Sequence, residues 1–186
     1  MNVFTLEQEG PPLFTEPVVL IIGTFDGVHL GHQALIRRGK EEAKKAETLL
    51  IALTFKTPPA WFFSKDLTKS LLTPLNERIE LLHSFSVDHV LLMDFNEKVA
   101  SLTAFEFLSI LKNKLPLGTL ILGHDATIGK DRENNRESVV SAAKQLGIAI
   151  EFLPACRVDG EIVSSTAIRL ALEKGDGAKA KKMLGI

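Results

Sequence analysis

The sequence predicts an α/β fold, with a mostly parallel sheet of about five strands and helices on both of its faces. Short apolar runs alternate along the chain with longer amphipathic segments. The runs are continuously apolar, as in strands buried on both faces of a parallel sheet. The sequence has no internal repeat and no Ser/Gly-rich linker. We therefore expect residues 1–186 to form a single domain.

Five apolar runs are typical of buried strands, because each is only about four to eight residues long. They cover residues 18–22, 49–55, 89–93, 119–123 and 148–153. The amphipathic segments between and after them predict six helices. These cover residues 33–46, 76–85, 104–111, 138–146, 165–174 and 178–184.

Composition narrows the class of protein. The chain has 22 Lys and Arg against 23 Asp and Glu, a net charge of -1, which argues against a strongly basic nucleic-acid-binding protein. A single cysteine, Cys156, excludes an intrachain disulfide and fits a reducing compartment. No signal peptide is recognisable, and no apolar run approaches the ~20 residues of a membrane span. We expect a cytoplasmic protein without a nucleic-acid or membrane partner.

Three segments follow predicted strands and lie where ligands bind in open parallel sheets, beyond the carboxyl ends of the strands. They are the turn after the first strand and the long stretches 56–74 and 124–137. Structureless loops of that length are uncommon and are usually functional or disordered. The sequence therefore indicates the face of the sheet that carries the site.

The turn after the first strand, residues 23–32 (the glycine turn), carries the sharpest signal. Three glycines recur at four-residue spacing, and His29 and His32 lie three residues apart at the start of a helix. Helix N-terminal amides and imidazole N–H groups suit phosphate and charge that develops on it. Two histidines at this spacing are otherwise surface residues or metal ligands, but the sequence has no Cys or His cluster to complete a zinc site.

Two better-known phosphate motifs do not fit. The glycine turn is not the dinucleotide fingerprint GxGxxG. The nearest Walker-like stretch begins at Gly123 and continues at Gly129-Lys130, with five residues between the glycines instead of four. Asp131 stands there in place of the required Ser or Thr. The sequence thus argues against an ATPase P-loop.

A second anion-binding element precedes the penultimate helix. Ser164, Ser165 and Thr166 stand at its start, and Arg169 lies one turn inside. These residues either cap the helix or form a second phosphate clamp, in which hydroxyls, amides and a guanidinium act together. Two helix N-termini that face one crevice would hold a triphosphate between them.

Several motifs occur together in one order along nearly the whole chain. They are GTFDGVHLGHQALI at 23–36, LTF at 53–55, LLT at 71–73 followed by Glu77-Arg78, VDHVLLMDF at 87–95, FEF at 105–107, GHDATIGKDR at 123–132 and SSTAIRLAL at 164–172. With them the sequence resembles the nucleotidylyltransferase superfamily, whose mark is HxGH. More narrowly, it resembles the FMN adenylyltransferase (FAD synthetase) domain of the bacterial bifunctional riboflavin kinase/FMN adenylyltransferases. The resemblance implies a Rossmann-like nucleotidylyltransferase fold, with the riboflavin kinase domain absent from this chain.

The sequence departs from the family pattern at a few places. Thr24 stands where the family usually has Asn, and Thr57-Pro58-Pro59 where Pro-His-Pro is common. Ala126 and Ile128 occupy positions usually held by Phe. These departures concern flavin binding more than ATP chemistry.

The resemblance implies that ATP and FMN react to FAD and pyrophosphate with Mg²⁺, the FMN phosphate attacking the α-phosphorus in line. His29 and His32 would be catalytic, and Mg²⁺ would be held mainly by phosphates rather than by protein ligands. Asp26 would either cap amides of the turn or act near the metal or ribose. Lys130 and Arg132 would lie on a loop that closes over pyrophosphate or is simply solvated. The residues implied to bind ATP are Gly23, Thr24, Phe25, Asp26, Gly27, Gly31, Gly123, Asp125, Ser164, Ser165, Thr166 and Arg169.

The flavin is expected against the stretch 56–74, because aromatic side chains cluster there. The implied flavin-binding residues are Phe55, Pro58, Phe62, Thr73 and Arg78. Phe62 either packs on the flavin or only pins the loop to the core, and Arg78 either meets the FMN phosphate or lies on a helix surface. Two other functions stay open: another HxGH nucleotidylyltransferase, such as a cytidylyltransferase on a phospho-alcohol, and a catalytically weak flavin- or nucleotide-binding module.

Overall fold

The computed structural model describes residues 1–6, 11–63, 70–130 and 135–186. Its centre is a six-stranded sheet in which every neighbouring pair of strands is parallel. The strands are β1 (Asn2–Thr5), β2 (Val18–Ile22), β3 (Leu49–Phe55), β4 (His89–Met93), β5 (Leu117–Leu122) and β6 (Ala149–Phe152). Their order across the sheet is β1-β4-β3-β2-β5-β6. The predicted α/β class with a parallel sheet is confirmed.

Helices cover both faces of the sheet, as predicted. They are α1 (Leu30–Lys45), α2 (Pro59–Phe63), α3 (Leu75–Ser84), α4 (Glu97–Ala100), α5 (Ala104–Lys114), α6 (Asn135–Gln145), α7 (Ser165–Glu173) and α8 (Gly177–Leu184). A short 3₁₀ turn, Asp26–Val28, precedes α1, and an antiparallel hairpin, β7 (Arg157–Val158) and β8 (Glu161–Ile162), precedes α7. Within the described ranges, no helix combines the length and the apolar character that crossing a bilayer requires.

The core divides at the sheet because successive side chains of a strand point to opposite faces. In β2, Leu20 packs with side chains of α5 and α6, whereas Ile21 packs with side chains of α1. All five residues of β2 are buried, which explains the continuously apolar run. A smaller third cluster joins α7 and α8 to Leu30 at the start of α1.

The sequence pattern did not reveal β1 or the β7–β8 hairpin. β1 is an edge strand of four residues, three of them exposed, so it has no apolar run to mark it. Each hairpin strand has only two residues. Two parts of the predicted loops, residues 64–69 and 131–134, lie outside the described residues, and Arg132 is among them.

The connections position the site. β2 is central, with β3 on one side and β5 on the other, so the direction of winding reverses between β2 and β5. Such a reversal leaves a crevice beyond the carboxyl ends of the two strands. Ile22 pairs with Leu122 at those ends, so Gly23 and Gly123 follow directly at the crevice.

Candidate functional site

A cavity of about 560 Å³ opens at the crevice between β2 and β5. The glycine turn, the loop 123–130, the start of α7 and the α2 segment all contribute to its wall. Most of the residues predicted from the sequence line it: Gly23, Thr24, Asp26, His29, Gly31, His32, Phe55, Pro58, Gly123, Asp125, Ser164, Ser165, Thr166 and Arg169. The predicted residues Phe25, Gly27, Phe62, Thr73 and Arg78 are not part of the lining.

The two histidines of the glycine turn stack on each other. Their ring centroids are 3.7 Å apart and the planes differ by 14°. His29 is the N-cap of α1, where its Nδ1 accepts a hydrogen bond from the His32 amide at 3.3 Å. An accepting Nδ1 assigns the proton of the neutral imidazole to Nε2. The His29 side chain therefore has an N–H donor left for a ligand.

Burial keeps both imidazoles neutral. It lowers the pKa of His29 to about 4, against a partial opposing effect from Asp125. Burial also lowers the pKa of His32 well below its usual value, and the neighbouring His29 and Arg78 act in the same direction. The His32 Nδ1 is buried and has no hydrogen-bond partner among the described residues. At neutral pH the pair thus offers hydrogen bonds rather than positive charge.

The backbone of the glycine turn adopts left-handed conformations. Phe25 has φ 52° and Val28 has φ 38°, which is uncommon for residues with a side chain. Gly27, at φ 79°, has the conformation that glycine adopts without strain. The Phe25 ring is fully buried and lies 5.1 Å from the His32 ring, so Phe25 supports the histidine from behind rather than facing the cavity.

Asp26 joins three parts of the chain. Asp26 is 1% exposed, and its carboxylate accepts from the Thr73 amide at 3.0 Å and from the Arg169 guanidinium. Its backbone carbonyl accepts from the Ser165 hydroxyl at 2.9 Å. In return, the Thr73 hydroxyl oxygen accepts from the Gly27 amide at 3.0 Å. Of the two roles considered for Asp26, these contacts fit the one of organising the turn.

The residues at the start of α7 have different environments. Ser164 is the N-cap and accepts from the Ala167 amide at 3.1 Å. Thr166 is exposed to solvent. Arg169 donates to the Ser70 carbonyl at 2.8 Å in addition to its pairing with Asp26. The N-terminus of α7 lies on the wall of the same cavity as the glycine turn, so the cavity has two helix N-termini on its wall.

Arg78 lies in the interior. It is 0% exposed, so the alternative that it lies on a helix surface is wrong. One of its nitrogens, Nη1, donates to the Thr24 carbonyl at 2.6 Å. Thr73 is also buried, at 7% exposure. Thr73 and Arg78, two of the five residues predicted to bind flavin, therefore contact the glycine turn.

The apolar end of the cavity is formed by aromatic and aliphatic side chains. Phe95 is its centre, with the rings of Phe55, Phe62 and Phe63 at 5.9, 5.5 and 5.7 Å in edge-to-face contact. Phe62 is 44% exposed and touches this cluster from outside the cavity. Ala126 and Ile128 also belong to the wall. The cavity thus has a polar end with the histidines and an apolar end with the rings.

The loop 123–130 is held against the start of α5. The Lys130 amide donates to the Leu102 carbonyl at 2.7 Å. Gly129 has φ 87°, and a Cβ there would lie 2.5 Å from the Ala104 nitrogen, so this close approach needs glycine. The carboxylate of Asp125 is 3.6 Å from His124 Nδ1. The loop therefore presents His124, Asp125 and Lys130 to the cavity from a fixed base.

Sequence reasoning gave no role to some of the lining residues. They include Phe95, Phe107, His124, Leu153, Pro154 and Cys156. Phe95 could have been noticed, because it stands two residues beyond the end of β4 at the ligand-binding edge of the sheet. Phe107 gives no such signal, because its spacing on α5 is that of an ordinary core residue. Among the described residues, no group of three or more His, Cys, Asp or Glu side chains is arranged to hold a metal ion.

Comparison with known proteins identifies relatives along most of the chain. The sequence profile of the FAD synthetase family matches residues 12–167. The bifunctional riboflavin kinase/FMN adenylyltransferase of Escherichia coli (strain K12) is 35% identical over 171 residues, which are 91% of this chain and 55% of that protein. A FAD synthetase from Listeria monocytogenes is 29% identical over 168 residues, or 90% of this chain and 68% of that protein. The chain spans about half the length of the bifunctional relatives.

Two solved structures share the fold. A crystal structure described as a macrolide-efflux protein from Streptococcus pneumoniae superimposes with a TM-score of 0.84 at 26% identity, over 98% of this chain and 60% of that one. The Thermotoga maritima TmcAL structure bound to alpha-thio ATP gives a TM-score of 0.59 at 13% identity, over 89% of this chain and 52% of that one. At that identity the second likeness concerns the fold alone.

Proposed function

We propose, because the chain belongs to the FAD synthetase family, that it transfers AMP from ATP to FMN and releases pyrophosphate. The names of the bifunctional relatives contain two activities, and the chain covers about half of their length. The FAD synthetase profile matches residues 12–167 of this segment, which favours the adenylyltransferase over the kinase. The observation that carries the proposal is the convergence of the histidine pair and two helix N-termini on one cavity with an apolar, ring-lined end.

The chemistry is a single displacement. An oxygen of the FMN phosphate forms a bond to the α-phosphorus of ATP, and the bond from that phosphorus to the oxygen bridging to the β-phosphate breaks. FAD and pyrophosphate are the products. No protein nucleophile is required, so catalysis consists of positioning and charge stabilisation.

The histidine pair is suited to stabilise charge that develops on phosphate. His29 Nε2–H is a donor at a buried N-cap, and a neutral imidazole needs no change of protonation to act. A Cβ at Gly31 would lie 3.1 Å from the His29 ring, so glycine leaves space beside the imidazole. The N-terminal amides of α1 and α7 add partial positive charge on two sides of the cavity.

The two ends of the cavity fit the two substrates. The phosphates of ATP suit the polar end, formed by the glycine turn, Gly123 and the start of α7. The isoalloxazine ring of FMN suits the apolar end around Phe95, where edge-to-face and stacking contacts are available. Ala126, in place of a bulkier side chain, leaves room at that end.

The remaining substrate-level assignments belong to the same proposal. Mg²⁺ enters with the nucleotide as MgATP and prefers phosphate oxygens and water to a protein cage. Within the described residues, the acidic side chains on the cavity wall include Asp26, whose carboxylate is already bonded to Thr73 and Arg169, and Asp125. A cytoplasmic location fits these substrates and the single cysteine.

The direct test is FAD synthesis by the purified chain. FMN, ATP and Mg²⁺ are incubated with the protein, and FAD is separated by chromatography while pyrophosphate is measured in parallel. We expect FAD and pyrophosphate in equal amounts, and no phosphorylation when riboflavin replaces FMN. Pyrophosphate release from CTP and glycerol phosphate, without any FAD from the first mixture, would instead identify a cytidylyltransferase. FMN binding without turnover would identify a binding module.

A further inference from the structure

Arg78 is a buried cation whose guanidinium is only partly satisfied. It projects from α3 and is completely buried. Among the fully buried side chains of the described residues, it is the largest. Its Nε and Nη2 are buried without a hydrogen-bond partner among the described residues. No carboxylate of those residues forms an ion pair with it. Burying a guanidinium in this way is costly, and hydrophobic residues would fill the same volume without the penalty.

The one satisfied nitrogen of Arg78 is aimed at the glycine turn. Nη1 donates to the Thr24 carbonyl at 2.6 Å and lies 3.4 Å from the Thr54 hydroxyl. The Thr54 hydroxyl in turn donates to the same carbonyl at 3.0 Å. Two buried donors, one from α3 and one from β3, therefore converge on a single backbone oxygen.

The Thr24 carbonyl oxygen immediately precedes the part of the turn with left-handed backbone conformations. Phe25, the next residue, has φ 52°, and Val28 has φ 38°. Left-handed conformations of residues with side chains persist only where the surroundings over-determine them. Thr73 and Arg169 hold Asp26. Arg78 and Thr54 hold Thr24, so the turn is fixed at both residues that flank Phe25.

We propose that Arg78 is a positioning residue for the adenylyl transfer, which fixes the Thr24 carbonyl and thereby the place of His29 and His32 at the phosphates. This inference rests on the proposed function for its kinetic part. The cost of burying the guanidinium is explained if the guanidinium stabilises a conformation of the glycine turn that is needed for function. Apolar side chains in its place would not stabilise that conformation.

The charge has its own measurable consequence. Arg78 is one of the groups that lower the pKa of His32, after burial and beside His29. Burial lowers the pKa of Arg78, and Asp26 opposes that effect in part. Asp125 and Asp26 likewise oppose the effect of burial on the pKa of His29. Removal of the guanidinium charge should therefore move the titration of His32 to higher pH. A residue that served only to fill the core would leave that titration where it is.

The test compares Arg78→Met, Arg78→Lys and Thr54→Val with Leu111→Ala. Leu111 is equally buried but packs among apolar side chains on α5, away from the turn, and serves as the matched core control. Folding is followed by circular dichroism and thermal unfolding. kcat and KM for ATP and FMN are measured on folded protein, and the imidazoles are titrated by NMR.

We expect Arg78→Met to lower kcat about 100-fold, the effect of a small misplacement of catalytic groups, with little change in KM for FMN. Its His32 titration should move to higher pH. Arg78→Lys should restore the low-pH titration and part of kcat. Thr54→Val, which removes the second donor without removing charge, should lower kcat about 5-fold. Leu111→Ala should lower thermal stability with kcat unchanged.

Wild-type kcat in folded Arg78→Met, or an unmoved His32 titration, would overturn the proposal. If Arg78→Met does not fold, Arg78→Lys and Thr54→Val decide, and wild-type kcat in both would overturn it equally. If the wild-type chain makes no FAD, the proposed function fails, but the positioning role is still judged by the backbone conformation of the glycine turn. In that case, backbone amide shifts of residues 24–28 that match wild type in Arg78→Met count against it.

Discussion

In the proposed function, His29 combines a structural and a chemical task in one side chain. Its Nδ1 caps α1, and its Nε2–H is the donor that the proposal assigns to phosphate. Substitution by alanine removes both, so a loss of activity would be difficult to interpret. Asparagine is the better probe, because it is a favoured N-cap residue without an imidazole. We expect His29→Asn to lower kcat about 100-fold, the effect of losing one preorganised donor, with a melting temperature close to wild type.

His29→Ala is the matched comparison for this substitution. It should lose kcat to the same degree and also lose about 1 kcal/mol of stability with the cap. The measurements are steady-state FAD synthesis and thermal unfolding of the three proteins. Wild-type kcat in the asparagine variant would remove the catalytic assignment of His29.

The buried histidines also predict how stability depends on pH. The pKa of His29 is about 4 in the folded chain against an ordinary 6.5. Between these values the unfolded chain binds a proton that the folded chain does not, so stability falls as the pH falls from 6.5 to 4. His29 alone accounts for about 3 kcal/mol over that range. The lowered pKa of His32 acts in the same direction.

Urea unfolding of wild type and His29→Asn between pH 7 and about pH 4 measures this effect. Carboxylates remote from His29 contribute equally to both proteins and cancel in the difference, whereas Asp26 and Asp125 interact with His29 and belong to the measured effect. We expect the variant to lose less stability on acidification than wild type. Parallel curves would show that His29 binds its proton equally in the folded and unfolded chains, so that folding does not lower its pKa.

At the scale of single residues, the sequence was informative where chemistry follows from spacing. His29 and His32 are three residues apart, and their convergence follows from helical geometry. The partnership of Asp26 and Arg169 spans 143 residues and depends on how α7 docks, so no local pattern reveals it. The sequence alone predicts Arg78 at the FMN phosphate or on a helix surface, since arginine is rarely fully buried, and only the tertiary structure places it in the core beside the turn.

Among the elements, α7 and the glycine turn are coupled by the Asp26–Arg169 pair. The Asp26 side chain is 2% exposed and that of Arg169 18%, so removal of one partner leaves a buried charge poorly compensated. We expect Arg169→Met to destabilise the chain by about 3 kcal/mol and to raise KM for ATP. Asp26→Asn with Arg169→Met should cost less than the sum of the two single variants.

A double-mutant cycle by urea unfolding measures that coupling. Arg157→Met is the matched control, because among the described residues its guanidinium bonds within the hairpin, to the Gly160 carbonyl at 2.7 Å. It should change neither stability nor KM appreciably. Additive effects of the Asp26 and Arg169 substitutions would show that the two side chains contribute no coupling energy to stability.

The aromatic cluster at the apolar end links β4, β3 and α2 through Phe95. If FMN lies there, Phe95→Leu removes ring contacts of about 0.5–1.5 kcal/mol each and should raise KM for FMN several-fold. KM for ATP should stay unchanged. Phe105→Leu is the control, since Phe105 is 43% exposed on α5 and does not line the cavity. An increase in KM for ATP but not for FMN would reverse the assignment of the two ends.

On the scale of the whole molecule, the sheet order accounts for the location of the site. Chain order alone predicted parallel strands and helices on both faces, because buried runs and amphipathic segments alternate. The position of the reversal between β2 and β5 could not be read from the sequence, since it depends on which strands become neighbours. The strand β1 was missed for a related reason. An edge strand with one partner needs little apolar character of its own.

β1 lies at the far edge of the sheet, with β4 and β3 between it and β2. It pairs with β4 from Asn2–His89 to Thr5–Leu92, and the Phe4 ring packs edge-to-face on Phe14 at 5.3 Å. Removal of residues 2–5 should therefore cost about 2–3 kcal/mol of stability through lost burial and ring contacts. It should leave kcat and both KM values unchanged, because no described residue of β1 lines the cavity.

The deletion also exposes the edge of β4, an apolar strand (HVLLM) able to pair with another copy, so we expect more self-association by light scattering. Phe4→Leu, which keeps the strand but removes the ring, should lose less stability and should not associate. FAD synthesis measured well below the unfolding temperature separates an effect on catalysis from an effect on stability. A lower kcat in the folded deletion variant would mean that the sheet edge and the glycine turn are coupled through β4 and β3, and the site would then depend on the whole sheet rather than on its centre.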